Sequence, residues 1–371
     1  MTAEKPSRRP VRLAINRLPP EAIGKLKWAT RVTREVRGIN AQAQPSPEET
    51  WKRKVWCMRN GFMPMCWDLY NLAVNDHREY LSDRDREMTW ILNWPFAAIL
   101  DDKLGFYYLL KQLGAPTPEI RALVLRGRLE PLDGSRLTNV DTWLEDHLDR
   151  LGRLVLKPIW GAKGKGISII ERAHGACLVD GRPATLAELK QRLSTMDRYM
   201  ITDFAEQAAY AREIFPGSAN SIRILTMVDE DRRPFIASAA HRFGAVRSQG
   251  PVDSWSRGGL SAGIDLETGT LSAAVTSLEY SYMERHDRHP DTGTAITGNR
   301  VAGWDSICRG VLELAGKLPY LPYIGWDVIA TDSGYLVIEG NKQSNVGFLQ
   351  VHRPLLRDAR VRAFYEREGI L

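Results

Sequence analysis

The chain has 371 residues, of which 43% are hydrophobic and 26% charged, and its formal net charge is +6. This length and composition predict a globular protein with two or three domains. No apolar run approaches the length that spans a bilayer, which excludes a transmembrane segment, and the positive charge favours anionic ligands such as nucleotides. We therefore expect a cytoplasmic protein.

The cysteines and tryptophans exclude two further kinds of site. No pair among the four cysteines has the Cys-x-x-Cys spacing of a zinc or redox site, so we expect buried thiols in a reducing compartment. The eleven tryptophans are dispersed and are not interleaved with basic patches. We expect most of them in the core rather than in a base-stacking platform, and we predict no nucleic-acid partner.

Residues 1–93 predict a basic tail followed by a helical region. The first 12 or so residues are basic, contain proline and have no period, which is typical of disorder. Glu21 to Gly38 is a basic amphipathic run, and Ser46 with Pro47 begins another helix. We interpret this region as a cap or docking region, with an acceptor-binding role as the alternative.

Residues 94–152 form a second predicted segment of α/β character. A helix begins at Asp101-Asp102-Lys103 and ends at Gly114, because glycine followed by proline stops a helix. A short strand from Ile120 to Leu125 follows. A turn-rich connection from Gly127 to Gly134 then leads to a helix from Thr138 to Leu151.

Residues 153–205 predict a small lid-like α+β unit. One strand delivers Lys157, a glycine-rich loop covers 161–166, and a second strand runs from Ile167 to Ile170. Further strands at Cys177 to Arg182 and at Tyr199 to Phe204 enclose a helix from Thr185 to Leu193. Loop glycines expose amides and loop lysines add charge, as a triphosphate requires, although a mobile hairpin tip has the same composition.

The late stretch from Tyr323 to Asn341 predicts a β-hairpin that carries a metal site. A three-residue loop, Asp332-Ser333-Gly334, places Asp327 opposite Glu339, and Asn341 points to the same face. Two carboxylates this close repel unless a cation lies between them, and an all-oxygen set suits Mg²⁺. A solvated polar face on an amphipathic hairpin is the alternative.

This order of elements resembles the lid and the metal motif of the ATP-grasp superfamily. More narrowly, the chain from about residue 95 to 355 resembles the sugar-transfer-associated ATP-grasp family, which is related to alpha-L-glutamate ligases. The stretches that carry this resemblance are Asp101-Asp102-Lys103 to Pro116-Thr117-Pro118, Ser218-Ala219-Asn220-Ser221-Ile222-Arg223, His241-Arg242-Phe243-Gly244, Asp253 with Gly258-Gly259, Ile324-Gly325-Trp326-Asp327 and Glu339-Gly340-Asn341.

The resemblance implies an α+β ATP-grasp fold, with a small lid subdomain at 153–205, a larger antiparallel-sheet core subdomain at 206–371 and the helical N-terminal region outside it. It implies ATP as a cofactor, held by Lys103, Lys157, Lys163, Gly164, Lys165, Gly166 and Asp203. It also implies one or two Mg²⁺ ions, held by Asp327, Glu339 and Asn341. Glu is more common in the family at the position of Asp203.

The resemblance further implies catalytic and substrate residues. The catalytic set is Arg223, Arg242 and Lys342, and the planar guanidinium of Arg223 suits both a phosphoryl group and a carboxylate. A structural ion pair with a neighbouring acid is the alternative for Arg223. The acceptor-facing set is Asp253, Ser254, Gly258 and Gly259, although the family more usually has Asn at the position of Ser254. The loop from His286 to His289 is expected to be exposed and polar.

The implied reaction is ATP-dependent ligation of a carboxylate to an amine through an acylphosphate, with release of ADP and phosphate. Phosphoryl transfer of this kind depends on positioning and charge neutralisation rather than on a protein nucleophile. The expected partners are small-molecule carboxylates and amines, such as amino acids, peptides or sugar conjugates, and a homo-oligomer is possible. A phosphotransferase and a non-catalytic nucleotide-binding module are the alternatives.

Overall fold

The computed structural model describes residues 22–30, 47–161, 164–173, 176–248, 251–276 and 283–371, and the side chains of these residues except 47–50. The predicted basic tail and Lys163 lie outside the described residues. The chain forms two compact units, one of residues 1–95 with 354–371 and one of residues 96–353. Within the described ranges, no helix has the length and apolar character that crossing a membrane requires.

The described residues contain twelve α-helices. In chain order, α1 to α12 are 22–30, Pro47–Arg59, Cys66–Leu69, Asp83–Met88, Ala98–Asp101, Lys103–Gln112, Val140–Leu151, Leu186–Ser194, Ala209–Ile214, Trp304–Gly316, Gly347–Gln350 and Ala359–Arg367. Single 3₁₀ turns occupy His77–Glu79, Thr89–Ile91, Val246–Ser248, Trp255–Arg257 and Leu355–Arg357.

The same part of the chain contains fourteen strands. In chain order, β1 to β14 are Ile120–Leu125, Arg128–Pro131, Arg153–Pro158, Ser168–Ala173, Ala176–Val179, Arg182–Pro183, Tyr199–Asp203, Ile222–Val228, Pro234–Phe243, Leu260–Ile264, Leu271–Thr276, Arg285–His286, Ile324–Thr331 and Gly334–Asn341. Both sheets are antiparallel, with the strand orders β2-β1-β7-β3-β4-β5-β6 and β12-β11-β10-β9-β8-β13-β14.

The first unit is helical, as its sequence predicts. Its last helix, α12, buries Val361 and Phe364, and two arginines connect the C-terminal segment to the 3₁₀ turn at His77–Glu79. Arg357 Nε lies 2.7 Å from Glu79 Oε2, and Arg362 Nη2 donates to the carbonyl of Arg78 at 3.0 Å. The C-terminal residues therefore pack with the N-terminal helices, although sheet residues precede them in sequence.

The sheet of β1 to β7 packs one face against α7 and α8. Leu144 and Leu148 of α7 and Leu189 of α8 are buried in one cluster with Leu154 and Ile170 of the sheet. Helix α8 begins with a capping box in which Thr185 and Glu188 satisfy each other's backbone N–H groups. The predicted turn-rich connection after β1 contains β2, so the hairpin β1–β2 extends the predicted lid sheet.

The sheet of β8 to β14 contributes most of its strands to the larger hydrophobic core. Every residue of β8 is buried, because it lies between β9 and β13 and the sheet is packed by helices. Phe106 and Leu110 of α6 pack in this cluster together with Ile307 and Val311 of α10.

The β13–β14 hairpin has a different turn from the predicted one, but Asp327 and Glu339 are paired as predicted. Thr331 pairs with Gly334, so the loop has two residues, and the predicted three-residue loop is wrong. A bulge follows, because Val328 pairs with Val337 while Asp327 pairs with Glu339. The extra residue, Ile338, offsets the shorter loop and returns the two acids to opposite positions.

Candidate functional site

A cleft of about 730 Å³ lies within the second unit, between the glycine-rich loop and the β13–β14 hairpin. This volume is in the range of small-molecule and cofactor sites. Most of the predicted site residues line it, namely Lys103, Lys157, Gly164, Lys165, Asp203, Arg223, Arg242, Asp253, Ser254, Asp327, Glu339, Asn341 and Lys342. Gly166, Gly258 and Gly259 are not among the lining residues.

Two carboxylates of the hairpin, Asp327 and Glu339, lie on paired residues and both line this cleft. Burial and the neighbouring charge of Asp327 raise the pKa of Glu339 above its usual range, although Lys103 opposes this shift. For Asp327, burial alone would raise the pKa, but Arg223 and Arg242 hold it below its usual range. Asn341 lies beside them, and its Nδ2 donates to the carbonyl of Gly325 at 3.0 Å.

Arg223 and Arg242 both bind Asp327. Arg223 on β8 makes a bidentate ion pair with Asp327, with Nε 2.6 Å from Oδ1 and Nη2 3.1 Å from Oδ2. Arg242 on β9 places Nη2 3.1 Å from Asp327 Oδ1. Both guanidinium groups lie over the ring of Phe348, at 5.5 and 5.8 Å. Arg223 therefore does form an ion pair with a neighbouring acid, which was the alternative interpretation of this residue. The ion pair lies inside the cleft.

Two lysines approach the acid pair from the other wall. Asp102 caps α6 by accepting the N–H groups of Leu104 and Gly105, which places Lys103 at the start of the helix. Lys103 Nζ lies 3.6 Å from Glu339 Oε2 and donates to the carbonyl of Gly161 at 2.7 Å. Burial lowers the pKa of Lys157 to about 8, and Glu339 partly offsets that effect.

The described part of the glycine-rich loop folds against the segment that carries Asp253. Gly164 has a φ of +65°, and a Cβ there would lie 2.7 Å from Val252 Cγ1, so both the backbone angle and the close approach require glycine. Lys165 is exposed and lines the cleft. The loop thus presents a cation at the cleft while its backbone touches Val252.

Asp203 lines the cleft at the end of β7, but its carboxylate is bound by a residue that the sequence did not single out. Arg121 Nε and Nη2 each lie 2.7 Å from one oxygen of Asp203. This bidentate ion pair connects neighbouring strands, since Arg121 lies on β1 and Asp203 on β7, and these two strands pair.

The predicted acceptor-facing residues divide into two groups. Asp253 and Ser254 line the cleft, and Asp253 Oδ2 accepts the N–H of Ser221 at 2.7 Å. Gly258 and Gly259 pack against protein instead. A Cβ at Gly259 would lie 2.8 Å from the carbonyl oxygen of Phe243, and the carbonyl of Gly258 accepts from Arg247 Nε at 2.7 Å.

Lys342 and the loop from His286 to His289 also contact neighbouring residues. Lys342 Nζ donates to Asp101 Oδ2 at the cleft wall. The loop expected to be exposed carries a buried histidine, and that expectation is wrong for His289. Its ring stacks on Phe215 at 4.9 Å, and its Nε2 lies 2.8 Å from the carbonyl oxygen of Gly244.

The donor chemistry at the hairpin fits a magnesium ion that is shared with a ligand. Among the residues described, no three His, Cys, Asp or Glu side chains form a metal-binding cluster. Two carboxylates and one amide do converge here, and a cation would offset the repulsion between the opposed carboxylates. Mg²⁺ commonly takes one or two carboxylates and fills its shell with phosphates and water.

The sequence profile of one family, described as sugar-transfer associated ATP-grasp, matches residues 91–361. The chain belongs to the sugar-transfer associated ATP-grasp family. The predicted family and the predicted α+β ATP-grasp fold are therefore confirmed. None of the curated proteins compared with the chain matches it.

Solved structures of ATP-grasp ligases and related enzymes are similar to this family member at low identity. D-cycloserine synthetase DcsG is 14% identical, with 82% of each chain covered and a TM-score of 0.40. ATP-grasp ligase PsnB, in complex with a precursor variant, Mg and ADP, is 15% identical over 87% of this chain and 75% of its own, with a TM-score of 0.37.

A third similar structure is the biotin carboxylase domain of the 2-oxoglutarate carboxylase from Hydrogenobacter thermophilus, in complex with MgADP, ADP and bicarbonate. It is 13% identical over 67% of this chain, with a TM-score of 0.37. The chain spans 41% of that protein's length.

Sequence reasoning missed the roles of three residues in this ATP-grasp chain, two of which, Ser221 and Phe348, line the cleft. Arg121 binds Asp203, Ser221 binds Asp253, and Phe348 lies under both arginines. Each acts on a residue that is distant in sequence, so spacing alone carries no signal for it. Ser221 precedes Arg223 by two positions, and this is the one local hint that its side chain shares a face with the arginine.

Proposed function

We propose that the protein is an ATP-dependent carboxylate–amine ligase, which forms an amide through an acylphosphate and releases ADP and phosphate. One observation carries the proposal. The acid pair of the β13–β14 hairpin and the lysines of the opposite wall line one cleft, and Arg223 and Arg242 border the same acids. This is the charge pattern that a transferring phosphoryl group needs.

The branched apolar residues that line the cleft suit a nucleotide base. They are Val155, Ile169, Ile329 and Ile338 on strands of the two sheets and Ile167 just before β4. A triphosphate that extends from a base bound there would reach Lys103, Lys157 and Lys165. Asp203 lines the cleft, but its carboxylate is held in a bidentate ion pair with Arg121. We propose that this ion pair positions the strands that border the cleft, and that Asp203 does not offer a free carboxylate to the nucleotide.

Glu339, Asp327 and Asn341 would hold Mg²⁺. When bound, this ion would neutralise charge on the phosphates and orient them. Because Asp327 is already bound by two arginines, Glu339 is the carboxylate whose charge is balanced least by a protein contact, with Lys103 at 3.6 Å.

The chain's own cations would carry the first chemical step. A substrate carboxylate oxygen attacks the γ-phosphorus of ATP, a P–O bond forms and the bond to ADP breaks. Arg223 and Arg242 would hold this carboxylate, and Lys157 would stabilise the negative charge of the phosphoryl oxygens. The amine then attacks the acyl carbon, and the C–O bond to phosphate breaks. The proposed use of ATP favours a cytoplasmic location. The boundaries of the lid, at 153–205, and of the core, at 206–371, are likewise proposals.

An ATP-consumption assay with paired carboxylates and amines tests the proposal. We expect ADP formation that depends on both substrates, with phosphate released in an amount equal to the amide formed. Phosphate that stays on the acceptor would instead identify a phosphotransferase. No substrate-dependent ATP turnover with amino acids, peptides or sugar acids would contradict the proposal.

A further inference from the structure

The segment that packs against the glycine-rich loop, through Val252 and Gly164, carries one carboxylate in an unusual environment. Asp253 is 13% exposed and lines the cleft. Its Oδ2 atom accepts the N–H and the hydroxyl of Ser221 and lies 3.6 Å from Arg242 Nε. Among the described residues, no hydrogen bond is made to its Oδ1 atom. Ser221 therefore fixes the side chain through Oδ2, and within the described ranges Oδ1 is left for a ligand.

The position of this carboxylate relative to the acid pair is set by one guanidinium group. Arg242 contacts Asp327 Oδ1 through Nη2 at 3.1 Å and approaches Asp253 through Nε. Arg242 therefore bridges Asp253 and Asp327, beside which we place the acylphosphate.

Arg242 is the one described cation within ion-pair distance of Asp253, at 3.6 Å. Arg223 and Arg242 are both bound more closely to Asp327, and Lys165 is carried on the loop that covers Val252. The contacts that hold Asp253 at hydrogen-bonding distance come from Ser221, which is neutral. Val252, Trp255 and Phe348 also line the cleft, and the ring of Phe348 lies under the two guanidinium groups.

We propose that Asp253 binds the amine substrate as a primary ammonium ion through Oδ1 and accepts one of its protons. The inference rests on the proposed ligase function. The proton moves from nitrogen to Asp253, and the nitrogen lone pair forms the C–N bond to the acyl carbon. The C–O bond to phosphate breaks, and phosphate leaves with the second nitrogen proton. Asp253 then returns its proton to solvent.

Burial raises the pKa of Asp253, although Arg242 opposes the shift, and this direction agrees with a proton acceptor. The proposal also predicts substrate class. Primary amines that are ammonium ions at neutral pH should need Asp253, whereas a nucleophile that is already neutral should need it much less.

Asp253→Asn tests the proposal, because asparagine can still accept from Ser221 but carries no charge. For an acid that the wild-type protein activates, amide formation from a primary amine is compared with hydroxamate formation from hydroxylamine, which is largely neutral at neutral pH. We expect the variant to lower the ratio of amine to hydroxylamine rates about 100-fold. The deficit should shrink as pH rises and the free amine becomes more abundant.

Asp231→Asn is the matched control, because Asp231 is an exposed acid on the turn between β8 and β9. Equal loss with both nucleophiles in Asp253→Asn, or an unchanged ratio, would overturn the inference while leaving the ligase function intact. A wild-type protein that forms neither hydroxamate nor amide would remove the ligase function, and the inference with it.

Discussion

Glu339 lies opposite Asp327, and its pKa is raised by burial and by that neighbouring charge. We predict that Glu339→Gln lowers turnover at least about 100-fold, because a ligand for the cation at the phosphates is lost. The free energy of unfolding should not fall, since glutamine removes a carboxylate that repels Asp327. Steady-state ATP turnover and thermal melting measure the two effects.

The matched control for this variant is Glu230→Gln, because Glu230 is an exposed acid in the turn before β9 and does not line the cleft. It should leave both turnover and melting unchanged. Wild-type turnover in Glu339→Gln would remove Glu339 from the site.

Lys157 gives the cleft a dependence on pH. Its pKa is lowered to about 8 by burial, and a bound triphosphate would raise it again by favouring the charged amine. ATP affinity should therefore be highest below pH 8 and should fall as pH rises above 8, where the amine must take up a proton to bind. Calorimetric titration with MgATP across this range measures the dependence.

Lys157→Met should bind ATP more weakly and should lose this part of the pH dependence. If the wild-type protein and the variant show the same change in affinity above pH 8, then Lys157 does not contact the triphosphate.

At the scale of elements, the glycine-rich loop should serve the nucleotide rather than the fold. Lys165 is exposed and lines the cleft. We predict that Lys165→Ala raises the KM for ATP about tenfold with little change in melting temperature, since one charge-assisted contact is lost. Lys190→Ala on α8 removes an exposed lysine outside the cleft and is the control. An equal loss of stability in Lys165→Ala would indicate a structural role.

The β13–β14 hairpin shows how local sequence signals predict which residues oppose each other. The register of the predicted loop placed Asp327 opposite Glu339, and the structure pairs them. The loop was predicted one residue too long, and the bulge at Ile338 cancels that difference. Turn length and bulges depend on how the hairpin packs. The hairpin packs closely at Gly340, where a Cβ would lie 2.8 Å from both Leu100 and Phe106.

Other features of the site could not be predicted, because they join strands that are far apart in sequence. The bidentate ion pair between Arg121 and Asp203 depends on the pairing of β1 with β7. The contact between Ser221 and Asp253 joins β8 to a loop. The sequence shows which residues have suitable chemistry, but only the folded sheets determine which of them already have partners.

At the scale of the whole molecule, the account depends on one cleft in which the glycine-rich loop and the acid pair serve the same nucleotide. The N-terminal helices and residues 354–371 form the other unit, and the proposed chemistry requires none of the described residues in that unit.

A crystal structure with Mg²⁺ and a non-hydrolysable ATP analogue tests this claim most directly, through the position of the γ-phosphate. We predict that it lies within ionic contact of Lys157 and Arg223, on the face of the hairpin that carries Glu339, with the base against the branched apolar residues of the cleft. A nucleotide bound away from Glu339, or no bound nucleotide at saturating concentration, would contradict the account.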